Sequence, residues 1–479
     1  MHSFPKKSSP SPGPLQGWLD GIIGILLLAS LAFAPWAFGS TQTWAVVALN
    51  ISGTSLGILW LFQNFWFPKP AKSWSWTTQA LFWTTLSILG YSLLMALNAQ
   101  STFDPATAAF HPLPHLSWLP HSYDRHASWF VCWQNFALAG TFWATRDWLL
   151  AGARNSHSNG SSRDTGSLPH RSWHLIYFIV TNGFLLAVVG LLQRWQNTPK
   201  LLWLVQPQIN YEAWMQFGPY AYRSNGLQYL ELVWPLGLAA WSLLVNARSN
   251  PPAAGLNLGR WGLLVFALTM MICPFFWESR LSLAVNLLAI LFATVILLKA
   301  SRGIKLKSIL AGVVLLPILA GLTLNWHGWS ERFARAGFHS AERWKLYRAG
   351  FEMLHDHWAS GSGPGSFIAL YQLYRPDSDS LWQVYLHCDW LQTLVTYGLG
   401  GFLLVLGAGV LVVISPWNRH SLVVPDCFVS LVALSLGTGL LNATLDFPFQ
   451  IYSIQHLFVV LAAFYTTMSL ESCRRLNPF

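Results

Sequence analysis

Charge is what this chain most lacks. Only 10% of its 479 residues are Asp, Glu, Lys or Arg, against 53% hydrophobic, where a soluble domain carries roughly 25% charged residues. So few charges cannot coat a water-soluble globule of this size. Cysteine is scarce as well. The five residues Cys132, Cys273, Cys388, Cys427 and Cys473 are odd in number and include no CxxC pair, which excludes a disulfide framework or a zinc site read from spacing. Acidic residues are few, 18 against 28 Lys and Arg, for a formal charge of +10. No nucleic-acid motif accompanies that excess, and membrane topology accounts for it.

What the chain has instead is long apolar runs. Several reach about 20 residues, enough as helices to cross a hydrocarbon core of ~30 Å. The 28 Trp suit aromatic belts at both interfaces. Twelve candidate spans fall near 18–38, 43–64, 76–97, 128–150, 173–193, 226–247, 260–276, 280–300, 308–325, 389–414, 424–441 and 451–469. The expected fold class is therefore all-α: a polytopic membrane protein of about twelve transmembrane helices, with a large helical loop between spans nine and ten. The first span resembles a signal peptide ending in Ala32-Phe33-Ala34, but Pro35 follows the would-be cut and disfavours cleavage. The layout is a tail at 1–17, spans over 18–325, a loop at 326–388, spans over 389–469 and a tail at 470–479.

Lys and Arg placement sets the orientation. With the N-terminus inside, most of them, Lys6, Lys7, Lys69, Lys72, Arg146 and Arg171 among them, fall on the inner side. Residues 152–171 are rich in Ser, Gly and Asn and read as a flexible inner loop. The 326–388 loop lies outside. In it Trp344, Tyr347, Phe351, Leu354 and Trp358 recur at helical spacing as one apolar stripe, with Ser340 suited to cap the helix and Glu342 to its first turn. Such a helix lies on the membrane surface or over a cavity, or packs within a small loop domain.

On this topology spans six, eight and ten all point their N-termini outward. Arg223 stands just before span six, Arg280 opens span eight, and His387 stands just before span ten. Helix N-termini favour anions, and two guanidinium groups there would make a bidentate diphosphate clamp. The plainer alternative is that both arginines reach lipid headgroups. His387 suits a general base, since free imidazole titrates near 6.5; otherwise it is an interfacial histidine without chemistry. Asp389 is placed to favour its own helix N-terminus. Three other motifs are weaker. "GSGPGSF" at 361–367 has no Gly-Lys-Ser/Thr, and Pro364 removes an N–H, so it reads as a tight turn and not a phosphate loop. Asp377 and Asp379 would suit a metal within a doubly wound domain, which a membrane-protein loop does not supply, and the pair His355 and His357 lacks the further ligands that a metal needs. No metal site is expected.

The segment "AERWKLYRAGFEMLHDHWASGSGPGSFIALYQLYRP", followed by "HCDWLQTLVTYGLGG", closely resembles the O-antigen ligase/polymerase superfamily. That pattern has an Arg-Trp helix, here Arg343 and Trp344, then Gly-x-Gly-x-Gly-x-Phe, then His with Gly eleven residues on, here His387 and Gly398. "YRSNGLQYL" matches an Arg-x-x-x-Leu motif through Arg223 and Leu227, and "ESRLSLAVN" resembles a span-opening "SRG" motif through Arg280. The resemblance implies a bacterial inner-membrane, multi-pass glycosyltransferase of surface-polysaccharide (lipopolysaccharide) assembly, an O-antigen ligase or polymerase, with its active site at the periplasmic face. It implies an undecaprenyl-diphosphate glycan donor and a sugar hydroxyl acceptor, on lipid A core or a growing chain, with inversion and with no cofactor, metal or nucleotide sugar. Carried over, Arg223 and Arg280 hold the diphosphate, His387 activates the acceptor, and Arg343 and Asp389 are supporting candidates. Cys388 stands where many members have Asn, and Leu281 where many have Gly. A membrane carrier of the bicarbonate type is the competing class. It would place charge near the midplane, where the spans offer mainly Asn50, Asn135, Asn182 and Asn286. An envelope scaffold is a third class.

Overall fold

A computed structural model of the chain describes residues 13–67, 74–158, 168–246, 254–300, 323, 336–375, 383–417 and 422–470. Helices dominate: α1 (Pro14–Trp36), α2 (Thr43–Trp66), α3 (Trp76–Leu97), α4 (Arg125–Ser158), α5 (His170–Trp195), α6 (Arg223–Asn246), α7 (Ala254–Trp277), α8 (Arg280–Ala300), α9 (Ala336–His357), α10 (Phe367–Tyr374), α11 (Asp389–Ile414), α12 (Asp426–Asn442) and α13 (Tyr452–Thr466). Eight segments, on α1–α3, α5–α8 and α11, are long and apolar enough to cross a membrane, and α12 and α13 are shorter apolar helices. The predicted span 308–325 lies outside the described residues except for Thr323. So do Lys6, Lys7, Lys69, Lys72, Asp377 and Asp379.

Two short pairings depart from the all-helical expectation. β1 (Ser101–Asp104) and β2 (Ala109–Pro112) form an antiparallel hairpin after α3, with Phe103 opposite Phe110. β3 (Leu422–Val424) and β4 (Met468–Leu470) pair in parallel where α11 and α13 end.

α6 is the central helix. It is the least apolar span, with mean hydropathy 1.2, yet 83% of it is buried, whereas α11 is 17% buried. Its polar side chains thus face protein and not lipid. It packs chiefly on α7 and α12. α2 packs on α4 through glycines: a Cβ on Gly53 would come within 2.5 Å of the Ala137 carbonyl oxygen, and one on Gly140 within 2.5 Å of Gly53 O. Small residues let membrane helices approach this closely.

At the end where α1, α3 and α5 begin, a polar knot ties five helices together. Arg171 pairs with Asp20 at 2.9 Å. Gln63 and Trp148 donate to the same residue. Trp60 donates to Asp147, and Arg146 to Thr78. Charges cost least in a span when paired like this. The N-termini of α6, α8 and α11 gather at the opposite end.

At that end α11 is broken. Gly398 has φ 63° and ψ −175° inside the helix. The helical bonds lost there are replaced by the 358–363 segment. Ser362 N and Gly363 N donate to Val395 O and Thr396 O at 2.9 Å each, while Leu399 N and Gly400 N donate to Trp358 O and Ala359 O at 2.7 and 3.4 Å. A broken helix is tolerated at membrane depth when its backbone groups are satisfied in this way. "GSGPGSF" is thus a tight turn, with Gly361, Gly363 and Gly365 all at positive φ, and its backbone is the second strap of α11.

α9 corrects one sequence expectation. It begins at Ala336, so Ser340 stands inside the helix and not at its cap. The expected single stripe also divides. Tyr347 and Leu354 lean on a core of Leu346, Ala349, Met353, Leu386 and Leu391. Trp344, Phe351 and Trp358 point away, 68%, 54% and 60% exposed. The helix packs in a small cluster and also presents an outward aromatic row.

Candidate functional site

Two of the three helix starts fall where the sequence placed them, the third lies three residues before the expected 226, and side chains join them. α6 begins at Arg223, α8 at Arg280 and α11 at Asp389. Ser224 Oγ and Ser279 Oγ lie 3.0 Å apart, so the turns bearing the two arginines touch. Arg223 is buried, its guanidinium carbon 4.7 Å from the Trp214 ring centroid, and Nη1 donates to Trp214 O at 3.2 Å. Arg280 is half-buried at the first position of α8.

His387 sits at φ 55°, a left-handed conformation that costs a non-glycine residue of order 1–3 kcal/mol. The conformation aims its ring at the α12–α13 turn. There Nδ1 meets Asp446 Oδ1 at 3.2 Å; the His387 side chain is 25% exposed and that of Asp446 2%. The ring stands edge-on to Phe447 at 4.6 Å, and Phe447 is stacked between Tyr385 and Tyr222. Asp446 is the principal residue that sequence reasoning missed. Gln228 of α6 donates to its other oxygen at 2.9 Å. The arrangement is a histidine whose Nδ1 is held by a buried carboxylate, leaving Nε2 for a substrate proton.

The supporting candidates find roles in the same turn. Arg343 Nη1 donates to Leu445 O at 3.0 Å, and Tyr347 from the next turn of α9 donates to His387 O at 3.0 Å. Burial pushes the Tyr347 phenol up, with Arg343 opposing, so it stays protonated and able to donate. Asp389 does open α11, but its carboxylate faces away from its own helix end. It accepts from Phe449 N at 2.8 Å and Gln450 Nε2 at 3.0 Å, while its amide donates to Ala443 O. It locks α11 to the α12–α13 turn. Cys388, the N-cap of α11, has its thiol pushed up by burial.

Among the described residues, no three His, Cys, Asp or Glu side chains gather to hold a metal ion. His355 pairs with Asp356, while His357 packs edge-on against Tyr123 at 4.9 Å, so the "HDH" residues diverge.

The family model for O-antigen ligase matches residues 265–406. That stretch, under a third of the chain, is similar to the O-antigen ligase domain. The matched stretch holds Arg280, Arg343, the glycine turn, His387, Asp389 and Gly398, and so includes both halves of the broken-helix strap. Arg223 and Asp446 lie outside it, on the two flanks, and only the fold brings them to the ligase motifs. No curated protein matches the chain. The match and the apolar helices together point to a multi-pass membrane protein and support a ligase- or polymerase-type function.

Proposed function

We propose that the protein transfers a glycan from an undecaprenyl-diphosphate donor to a sugar hydroxyl at the outer face of a bacterial inner membrane. The observation that carries this reading is the His387–Asp446 pair, set at the mouth of α11 beside the paired turns of Arg223 and Arg280. Asp446 orients the imidazole and stabilises its cation as Nε2 takes the acceptor proton. The acceptor oxygen then attacks the anomeric carbon from the face opposite the diphosphate, inverting it. The C–O bond breaks towards the diphosphate, which leaves as an anion held by Arg223, Arg280 and the α8 N-terminus. The lip position suits a donor whose tail stays in lipid while its diphosphate and sugar lie at the interface. The carrier reading has no observation in its favour.

The test compares donor affinity and transfer rate in purified protein. His387→Ala should lower the rate by roughly 10²–10⁴ and leave donor binding nearly intact. Arg223→Ala and Arg280→Ala should weaken donor binding and turnover together, and Lys at either position should recover part of both. Near wild-type transfer by His387→Ala would end the proposal.

A further inference from the structure

Below the histidine pair, a polar ladder runs into the bundle. Its outer rung is Gln228 Nε2 to Asp446 Oδ2 at 2.9 Å. Its inner rung is Asn442 Nδ2 to Glu231 Oε2 at 2.6 Å. Gln228 and Glu231 lie one turn apart on α6, Asn442 and Asp446 one turn apart at the end of α12. All four side chains are nearly inaccessible, with Glu231 and Asn442 at 0% exposure.

Glu231 is an expensive residue at this place. It is the one acidic residue of the central helix, it has no ion-pair partner among the described residues, and its Oε1 is buried without a donor. A carboxyl in a membrane span is a functional-site candidate on that ground alone, and an apolar side chain would fill the same gap at lower cost. What Glu231 does hold is Asn442. The carbonyl of Asn442 accepts from the amides of Leu445 and Asp446 at 3.2 and 3.0 Å, closing the turn that carries the histidine's partner. The same turn is met by Arg343 at Leu445 O and by the Asp389 amide at Ala443 O and Asp446 O. α9, α11 and α6 therefore grip one short turn, and Glu231 supplies the grip from below.

Resting on the functional reading above, we infer that Glu231 is a positioning residue of the transfer reaction, fixing Asp446 against His387 through the Asn442 side chain. Its role is to accept a hydrogen bond, so the amide isostere serves. In Glu231→Gln the Asn442 bond to Oε is kept, and the new Nε2 can donate to Asn442 Oδ1, itself now without a donor.

The experiment uses the full chain in detergent or nanodiscs, with a synthetic undecaprenyl-diphosphate oligosaccharide as donor. Glu231→Ala and Asn442→Ala should each lower kcat by roughly 10²-fold, the cost of an ångström-scale misplacement, with donor KM within about twofold, since neither touches the diphosphate turns. The double variant should be no slower than either single one, because both cut one link. Glu231→Gln should regain most of the rate. A second readout needs no turnover: the pH profile of His387 carbethoxylation by diethyl pyrocarbonate, followed by mass spectrometry. Asp446→Ala should displace this profile, Glu231→Ala and Asn442→Ala should displace it in the same direction, and Glu231→Gln should not. If Asp446→Ala displaces the profile and Glu231→Ala and Asn442→Ala leave it at the wild-type position, the positioning role is refuted while the histidine pair stands. If Asp446→Ala displaces nothing, the parent reading fails and this one with it. Glu231→Gln as slow as Glu231→Ala would show that the carboxyl does more than accept a bond, and would also refute the inference.

Discussion

Gly398→Ala should be among the most damaging single-methyl changes in the chain. The added Cβ would lie 2.4 Å from Gly361 N and 2.5 Å from Ala359 O. Both are backbone atoms, so no side chain can swing aside, and φ 63° with ψ −175° is in any case a region essentially reserved for glycine. The strand-like strap must separate from α11. Four backbone bonds cross there, and at a net ~1 kcal/mol each the loss is about 4 kcal/mol, a large share of a typical 5–15 kcal/mol of stability. Gly407 provides the control, because it lies in the same helix with nothing within 4 Å of its would-be Cβ. Gly407→Ala should be neutral or gain up to about 1 kcal/mol. Thermal unfolding of both variants in the same detergent measures the difference. Equal midpoints for the two would refute the strap as a source of stability.

Three further outcomes are expected. In a variant without native cysteines, Lys345→Cys, exposed on α9, should label from outside in intact cells; labelling only after the inner membrane is permeabilised would reverse the topology. Burial, with His121 nearby, holds His357 below the ordinary imidazole range against the opposing pull of Asp356. A base depressed by folding gives stability that is present above the unfolded pKa of about 6.5 and lost as pH falls towards the folded value, so hydrogen exchange at 121–123 and 357–361 should quicken below about pH 6.5, and His357→Phe should remove that dependence. The Cys388 thiol, pushed up by burial, should show an alkylation rate still climbing above about pH 9; a plateau near 8.5 would contradict it.

Much of this architecture is legible from apolar run length. α11 spans the predicted 389–414, and α6 and α8 start at Arg223 and Arg280, because a charged or polar residue at the edge of an apolar run marks where a helix leaves lipid. Contacts between distant segments are not legible in the same way. Asp446 is 59 residues from His387 and stands in "LDFPF" as an ordinary turn acid; only its being a lone acidic residue in a hairpin on the arginines' side marked it. Glu231 is not legible as special, because one acid does not interrupt an apolar run. The α9 stripe misled for a physical reason. Periodicity finds an apolar face but does not say whether it meets protein or lipid, and here Leu346, Ala349 and Met353 are the ones packed inside, with Tyr347 and Leu354 against them, while Trp344, Phe351 and Trp358 face out. The β1–β2 hairpin is short, and nothing in its alternation separates it from a loop.

The turn gripped by α6, α9 and α11 also has a consequence for biosynthesis. Its Asp446 bonds to Gln228 across 218 positions of sequence. A chain inserted from its N-terminus therefore carries both arginines and the histidine through the translocon with no orienting carboxylate. The His387–Asp446 pair closes only when the last hairpin docks, so a bundle truncated before that hairpin lacks the pair on which the proposed transfer depends. On the proposed function, order of synthesis would act as a safety catch, keeping half-made copies from consuming lipid-linked sugars.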